Sequence, residues 1–206
     1  MAIEQLRAGS DNFSYLIISP LDNHAALVDP SLDATAALHR IDELGLTLDY
    51  IIITHYHSDH TAAVPTVKRR HPAAKVVASE ADGRILQNRP EIIVKDGAIL
   101  KVGVISVKVI ATPGHTPGGI CLLIDSEALI TGDTLFIGDC GRTDLTGGSI
   151  REMFDSIHKK IMPLSDSLLV YPGHDYGDRP YDTLGHQKQT NKTLKAKTLE
   201  DFAKIP

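Results

Sequence analysis

Four side chains of the kinds that bind metal ions stand within six positions of one another. His55, His57, Asp59 and His60 form the pattern HYHSDH, directly after the apolar run 50–54. Burying so many imidazole and carboxylate groups is costly unless a cation accepts their lone pairs. The segment therefore predicts a metal site at the end of a strand, and metal-assisted chemistry with it.

The spacing within this cluster predicts more than one metal position. His55 and His57 are two residues apart, so an extended backbone turns both imidazoles to the same side, where they can share one ion. Asp59 and His60 are adjacent and point in different directions, which suits a second ion beside the first. The two ions would then lie next to each other.

Three later segments repeat the pattern of an apolar strand that ends in a possible ligand beside glycine. ATPGHT contains His115, LITGD contains Asp133 and VYPGHD contains His174. Small neighbours allow the backbone to approach a site closely. A single histidine after a strand is more often a capping or surface residue, so position alone does not assign His115 or His174 to the metal.

The first half of the chain predicts the elements that would carry the cluster. FSYLIIS and HAALVDP read as a β-hairpin. A helix capped by Asp33 follows and ends near Gly45, because its apolar residues recur with a period of 3.6. YIIIT is then a buried strand of a βαβ unit, and sites on α/β sheets gather at such strand ends. A further helix is expected over 61–70.

The second half repeats this mixture of strands and helices. Paired strands with a turn at Gly103 precede an amphipathic helix over 150–161 and the buried strand SLLVYP. The order predicts two α/β halves whose sheets face each other with helices outside, forming a single domain over 1–206. The tail 184–206 is expected to form one or two short, solvated helices.

Composition excludes several classes of protein. With 206 residues, 42% hydrophobic and 23% charged, the chain is typical of an ordinary globular protein. Its net charge of −5 disfavours nucleic acid as a partner. No apolar run approaches the roughly twenty residues of a membrane span, and no secretory signal is evident, so we expect a cytoplasmic protein without membrane partners. Cys121 and Cys140 are too few for a disulfide framework.

The ligand motifs resemble those of a known family. THYHSDH, PGHTPGG, TGDTLF and YPGHDY, in this order over 54–176, are similar to the motifs of the metallo-β-lactamase-fold superfamily. The resemblance implies an α/β fold, a four-layer αβ/βα sandwich of two mixed sheets flanked by helices. It also implies two divalent metal ions, with zinc favoured over iron or manganese. The implied ligands are His55, His57 and His115 for one ion, Asp59, His60 and His174 for the other, and Asp133 as the bridge.

This arrangement predicts a metal-dependent hydrolase. Two divalent ions roughly 3.5–4 Å apart lower the pKa of a shared water enough to supply metal-bound hydroxide, and one ion polarises the carbonyl under attack. Asp59 would be the catalytic acceptor of the proton that remains on the nucleophile. A structural or purely binding metal site is the non-catalytic alternative, but such sites are closed and usually rich in cysteine.

The sequence around Cys140 limits the resemblance to one branch of this superfamily. GDTLFIGDCGRTDLTGG and GHDYG resemble glyoxalase II, which hydrolyses glutathione thioesters, and the persulfide dioxygenases. By that resemblance Arg142, Asp144 and Tyr176 fall at positions that contact substrate or brace the site, and Cys140, Arg142 and Tyr176 are the predicted contacts of a small thioester or thiol-derived substrate. Gly119 departs from glyoxalase II, which commonly has a second histidine there.

Two reactions remain open within that branch. We favour hydrolysis of a thioester or related ester by two metals. The alternative is a persulfide dioxygenase with a single Fe(II) held by His55, His115 and Asp133, a two-histidine, one-carboxylate set with open positions. Lactone or phosphoester cleavage is less favoured. Five other histidines lie on predicted helices or turns without partner spacing and are expected to be dispensable: His24, His39, His71, His158 and His186.

Overall fold

The computed structural model describes residues 2–205 and places two six-stranded sheets face to face. The strands of the first sheet are β1 (Ala2–Arg7), β2 (Phe13–Ile18), β3 (His24–Val28), β4 (Thr47–Ile52), β5 (Lys75–Ser79) and β6 (Ile92–Val94). They lie side by side in sequence order. Strands β1 to β3 pair antiparallel, whereas β3 to β6 pair parallel, so this sheet is mixed.

The second sheet is also mixed. Its strands are β7 (Ile99–Val102), β8 (Ile105–Ala111), β9 (Ile120–Ile124), β10 (Ala128–Gly132), β11 (Leu169–Pro172) and β12 (Asp182–Thr183). Strands β7 to β10 form an antiparallel meander, β10 and β11 are parallel, and β12 closes the edge antiparallel to β11.

Helices cover the outer face of each sheet. They are α1 (Thr35–Glu43), α2 (Ser58–Thr61), α3 (Val64–Arg70), α4 (Glu80–Gly83), α5 (Ile150–Asp155), α6 (Leu184–Thr190), α7 (Lys192–Lys195) and α8 (Leu199–Phe202). Helix α5 continues into a π-helical turn, Ser156–Ile161. The result is the four-layer αβ/βα sandwich that the sequence predicted.

Three apolar cores hold these layers together. The central core joins the inner faces of both sheets, with Tyr15 and Leu122 among its buried members. One outer core packs α1 and α3 against the first sheet, and the other packs α5 and the tail against the second. Strand β2 is buried at all six positions, because both of its faces are covered.

The hairpin, the βαβ unit and the helix end predicted for the first half are confirmed. Strands β2 and β3 form the expected hairpin, and β3, α1 and β4 form the expected βαβ unit, since β3 and β4 are parallel. The predicted cap differs by one position, because Ala34 is the N-cap residue of α1, while Oδ1 of Asp33 accepts a hydrogen bond of 2.8 Å from the backbone N–H of Thr35, the first residue of the helix. Gly45 follows the helix with φ +60°, a left-handed conformation that glycine adopts without strain.

Other predictions need correction. The helix expected over 61–70 is divided into α2 and α3, which are separated by Ala62 and Ala63. Strands β6 and β12 were not anticipated, because three and two residues carry too little periodicity.

The tail also differs from its prediction. It forms three short helices, and Leu184, Leu194 and Phe202 are buried against the second sheet rather than solvated. Pro206, the last residue of that predicted tail, lies outside the described residues. No helix within 2–205 has the length and apolar character needed to cross a bilayer.

Candidate metal centre

The ends of four strands bring the predicted ligands together. His55 follows β4, and the chain then turns into α2, which carries Asp59 and His60. The other three follow β8, β10 and β11 within a few residues: His115, Asp133 and His174. All of these except His57 and Asp59 are buried. The structure therefore gathers all seven predicted side chains at one place.

The first group consists of His55, His57 and His115. Their nearest ring nitrogens lie within 4.8 Å of one another. Nδ1 of His115 donates to the carbonyl oxygen of Arg142 at 2.7 Å, so the lone pair of this ring is on Nε2. That Nε2 atom faces Nδ1 of His57 at 2.9 Å. Two ring nitrogens aimed at one point are suited to a shared cation.

The second group consists of Asp59, His60 and His174. Nε2 of His60 lies 3.1 Å from Nε2 of His174. Nε2 of His174 is in turn 3.4 Å from Oδ2 of Asp59. The amide of buried Asn12 donates to the same carboxylate oxygen at 3.0 Å. Asn12 thus fixes the carboxylate against the two imidazoles, a role that no spacing in the sequence indicated.

Asp133 lies between the two groups. Its Oδ1 atom is 3.3 Å from Nε2 of His60, and its Oδ2 atom is 3.4 Å from Nε2 of His115 and 3.5 Å from Nε2 of His174. Within 2–205, neither Oδ1 of Asp133 nor the buried Nε2 of His55 has a hydrogen-bond partner. Buried polar atoms without partners are costly, and a bound cation would satisfy both. The nitrogen and oxygen donors therefore fit divalent metal ions.

Glycine makes this close approach possible. A Cβ atom on Gly173, the residue before His174, would collide with Oδ1 of Asp133. The residue preceding Asp133, Gly132, has φ +48°, and a Cβ there would lie 2.6 Å from Oγ1 of Thr54. Both positions therefore exclude larger side chains, as the glycine-flanked motifs predicted.

Asp29 is a buried carboxylate that the sequence reasoning missed. Its Oδ2 atom accepts from Nδ1 of His60 at 3.0 Å, and its Oδ1 atom accepts from the backbone N–H of Thr54 at 2.7 Å. Asp29 also lies close enough to His55 and His60 to form a ligand group with them. Because its oxygens are already engaged, we assign it the role of orienting His60 so that Nε2 points into the site. Its only signal was its place at the end of strand β3, in LVDP.

Asp82 is a second carboxylate without a sequence signal. It is 1% exposed, and its Oδ2 atom accepts from the backbone N–H of Tyr56 at 3.0 Å and from the hydroxyl of Thr116 at 2.7 Å. Its Oδ1 atom accepts from the backbone N–H of Gly118 at 2.7 Å. Tyr56 precedes His57 and Thr116 follows His115, so Asp82 ties together the two loops that carry facing histidines.

The charges of the site are unevenly distributed. Burial raises the pKa of Asp133, but the nearby charges of His60 and His55 outweigh burial and hold this pKa well below its usual range. The pKa of Asp59 is also lowered, since its hydrogen bond with His174 and the charge of His60 outweigh burial. Burial and the neighbouring imidazole of His60 lower the pKa of His55. The centre therefore presents ionised carboxylates beside imidazole nitrogens, which attracts cations.

The pKa of His174 moves in the opposite direction. Burial lowers it, but the hydrogen bonds and negative charges of Asp133 and Asp59 raise it to about 10. The pKa of His60 is also raised, because the effects of Asp133 and Asp29 outweigh that of burial. Carboxylates thus surround both imidazoles, and a divalent cation would take the place of the protons that these rings otherwise hold.

A cavity of about 520 Å³ opens over both groups, and we call it the site cavity. Besides the ligands, it is lined by Phe136, Cys140, Arg142, Leu145 and Tyr176. Its volume suits a small-molecule substrate. Tyr176 stacks on the ring of His174, with ring centroids 4.7 Å apart and planes 8° from parallel. The three predicted substrate contacts therefore all border this cavity.

The chemistry of those three side chains differs. Burial, with the negative charge of Asp139, raises the pKa of the Cys140 thiol to about 12, so this thiol is neutral and a poor nucleophile. The exposed guanidinium of Arg142 makes two hydrogen bonds of 2.7 Å to the carboxylate of Asp144. Burial raises the pKa of Tyr176 to about 12, so its hydroxyl is a hydrogen-bond donor. Each can contact substrate without changing its own charge.

The five remaining histidines lie outside both groups. Nδ1 of His24 pairs with Asp49 at 2.8 Å, and Nδ1 of His186 pairs with Asp182 at 2.5 Å. The predicted position of His24 was wrong, because this residue begins strand β3 instead of lying on a helix or turn. Their dispensability stays a prediction.

Comparison with known proteins agrees with this geometry. A family model described as the metallo-beta-lactamase superfamily matches residues 8–174. The human mitochondrial persulfide dioxygenase ETHE1 is 33% identical over 198 residues, covering 95% of this chain and 76% of its own length. The hydroxyacylglutathione hydrolase GloC of Haemophilus influenzae is 30% identical over 195 residues, covering 86% of this chain and 90% of its own length. A crystal structure of ETHE1 from Myxococcus xanthus superposes with a TM-score of 0.89 at 33% identity. The match covers 100% of this chain and 92% of that protein.

Proposed function

Because this chain belongs to the metallo-beta-lactamase superfamily, we propose that it is a two-metal hydrolase of thioesters or related esters. The observation that carries the proposal is the position of Asp133 between two complete ligand groups. A second group with its own carboxylate and two imidazoles suits a second ion, and paired ions suit hydrolysis.

The assignment of ligands follows the two groups. One ion would be held by His55, His57 and His115. The other ion would be held by Asp59, His60 and His174, and Asp133 would bind both ions. Zinc is favoured over iron or manganese, since it binds imidazole and carboxylate donors and hydrolysis needs a Lewis acid but no redox-active metal. When bound, such a pair of ions lowers the pKa of water and polarises the carbonyl under attack.

The protein's own residues complete the chemistry. Asp59 lines the site cavity with its side chain 39% exposed, so its carboxylate is accessible to a proton released during attack. Asn12 donates to Oδ2 of Asp59 and leaves Oδ1 as the free acceptor. Asp29 and the carbonyl of Arg142 hold the protons of His60 and His115 on Nδ1, so that both Nε2 atoms remain electron-pair donors.

The site cavity indicates a small substrate with a polar arm. Tyr176 offers a hydroxyl donor, Arg142 offers a guanidinium at the exposed rim, and Phe136 and Leu145 offer apolar contact. This mixture suits a thiol-derived leaving group of modest size. We propose Cys140 as a contact that packs against this arm as a neutral thiol rather than as an attacking group.

A second candidate function is oxidation of a persulfide with a single iron. His55, His115 and Asp133 form the two-histidine, one-carboxylate set that such an ion uses. The 33% identity to a protein named as a persulfide dioxygenase, over 95% of this chain, favours this candidate. In that case Asp59, His60 and His174 would not hold a metal.

Anaerobic metal analysis with paired assays separates the two functions. For a hydrolase we expect two metal ions per chain and cleavage of an acyl thioester without consumption of O₂. One iron per chain, with O₂ uptake driven by glutathione persulfide and no thioester cleavage, would overturn the proposal.

We also propose that the two sheets belong to one domain. The central core mixes residues from both, such as Tyr15 of β2 and Leu122 of β9, so neither half buries its inner face alone. Limited proteolysis of the metal-loaded protein should yield no fragment that is stable as a single sheet.

A further inference from the structure

A second cavity of about 520 Å³ adjoins the site cavity. It runs between helices α2 and α3 and the segment 85–88, and we call it the α2–α3 groove. Buried Ile53, Val64 and Val76 contribute to its lining. These side chains give the groove an apolar floor, and His57 is the one predicted ligand among its lining residues within 2–205.

The groove meets the site cavity at two residues. His57 and Ser58 line both spaces, and His57 belongs to the first ligand group. The two spaces differ in chemistry. Within 2–205, none of the residues lining the groove carries a carboxylate, ammonium or guanidinium group, whereas the site cavity includes Asp59, Asp139 and Arg142. The groove thus contains polar but un-ionised side chains, such as Thr61 and Gln87, beside its apolar ones, whereas the site cavity includes ionised groups, with a candidate ligand at their junction.

Tyr56, which lines one side of the groove next to His57, is held in place. The backbone N–H of Tyr56 donates to buried Asp82 at 3.0 Å, and the Tyr56 hydroxyl donates to the carbonyl oxygen of Thr146 at 3.0 Å. The ring of Tyr56 packs edge-on against the ring of His57, with centroids 4.7 Å apart. Because Tyr56 is fixed at both its backbone and its hydroxyl, this side of the groove is preformed, which lowers the entropic cost of binding.

We propose that the α2–α3 groove binds an unbranched aliphatic acyl chain of the substrate. A thioester has two arms that leave its carbonyl in different directions, and two spaces, only one of which is lined by carboxylate and guanidinium groups, meet at His57 in the metal centre. The acyl arm would lie along Ile53, Val64 and Leu86, while the polar thiol arm occupies the site cavity. Ile85, which is 53% exposed at the rim, would lose that exposure when the chain binds. This inference rests on the proposed hydrolase function and names its substrate class.

A chain-length series tests the groove. The metal-loaded enzyme is assayed with acetyl, butyryl, hexanoyl and octanoyl thioesters of N-acetylcysteamine. We expect kcat/KM to rise by about fourfold for each methylene that becomes buried. Ala62→Trp should fill the groove and abolish this rise, so the octanoyl-to-acetyl ratio falls towards one. Ile85→Ser, at an exposed rim position that does not threaten the fold, should lower the same ratio severalfold.

A matched control and two contrary outcomes complete this test. Thr66→Trp places the same bulk on an exposed position of α3 that does not line the groove, and should leave the series unchanged. Equal kcat/KM for all chain lengths in the wild-type enzyme would overturn the inference. A ratio unaffected by Ala62→Trp, with a change of oligomeric state in that variant, would assign the groove to a contact between copies of the chain and also overturn it.

Binding measurements separate failure of the groove from failure of the proposed function. Octanoate and acetate are titrated into the metal-loaded protein by calorimetry, which requires no turnover. Tighter binding of octanoate, lost in Ala62→Trp, without cleavage of any thioester would support the groove and refute hydrolysis. Cleavage of thioesters together with equal binding of both acids would support hydrolysis and refute the groove.

Discussion

Nε2 of His115 lies 2.9 Å from Nδ1 of His57, although 58 residues separate them in the chain. The carbonyl oxygen of Arg142 accepts the proton of the His115 ring on its other nitrogen, so an electron pair of His115 faces His57. Burial and the nearby His115 lower the pKa of His57, which favours the neutral form of this ring too. Two electron-rich nitrogens at this distance are stable together when they share a cation.

Removing the metal should therefore destabilise the protein. A ligand whose free concentration is a hundred times its Kd stabilises the folded state by roughly 2.7 kcal/mol. In a chain of this size, each kcal/mol raises Tm by roughly 2–4 °C. Calorimetry before and after dialysis against a chelator should show a lower Tm in the stripped protein, restored when zinc is added. Equal Tm values would mean that the seven side chains hold no ion in the folded state.

Asp29→Asn should weaken the second metal position by about 10- to 100-fold, because Asp29 orients His60. The affinity is measured by competition with a chromophoric chelator. Asp49→Asn is a matched control, since Asp49 also accepts from Nδ1 of a histidine, His24, away from the metal centre. Equal affinities for both variants would show that the orientation of His60 does not matter for binding.

Asp82→Asn should destabilise the metal-free protein by about 1–3 kcal/mol, because an amide cannot accept on both sides and leaves a buried donor unpaired. Urea unfolding measures this change. Asp178→Asn, which removes a carboxylate from an exposed pair with Arg179, should change the free energy of unfolding by less than about 0.5 kcal/mol. If the two variants are equally stable, Asp82 does not brace the two histidine loops.

His24 should make a pH-dependent contribution to stability. Its hydrogen bond to Asp49 and the charge of Asp49 raise its pKa above the usual value of about 6.5. The folded state therefore binds this proton more tightly than the unfolded state. The contribution is fully present below about pH 6.5 and is lost as the pH rises through the raised value. The Tm difference between wild type and His24→Asn should shrink between pH 5.5 and 9, and a constant difference would contradict this reasoning.

The other histidines outside the centre should be dispensable for metal binding. His39→Ala, His71→Ala, His158→Ala and His186→Ala should each retain the wild-type metal content by elemental analysis. His186 already has a carboxylate partner, Asp182, which accounts for its position without a metal. Loss of metal in any one of these folded variants would show that the ligand set is incomplete.

Much of the fold and the identity of the clustered side chains could be predicted from the sequence. The 3.6-residue period of α1 and the apolar run of β4 are local signals, and the pattern HYHSDH is dense enough to indicate a metal. The short strands β6 and β12 carry no such period. Their position depends on backbone pairing with neighbouring strands, which spacing along the chain does not encode.

The supporting residues of the site were harder to predict for a related reason. Asp29, Asp82 and Asn12 act through contacts with residues between 25 and 47 positions away, so no local spacing marks them. Arg142 orients His115 through its main-chain carbonyl, a group that every residue type possesses. A sequence thus reveals ligands that cluster, but the groups that hold the ligands in place become visible only when the strands are assembled.

Anomalous X-ray diffraction from crystals of the metal-loaded protein, recorded at the absorption edge of the bound element, tests the two-ion centre most directly. The proposed two-metal hydrolase predicts two peaks roughly 3.5–4 Å apart. One should lie at bonding distance from His55, His57 and His115, the other from Asp59, His60 and His174, and Asp133 should contact both. A single peak bound by His55, His115 and Asp133, with the second group empty, would contradict the proposed centre.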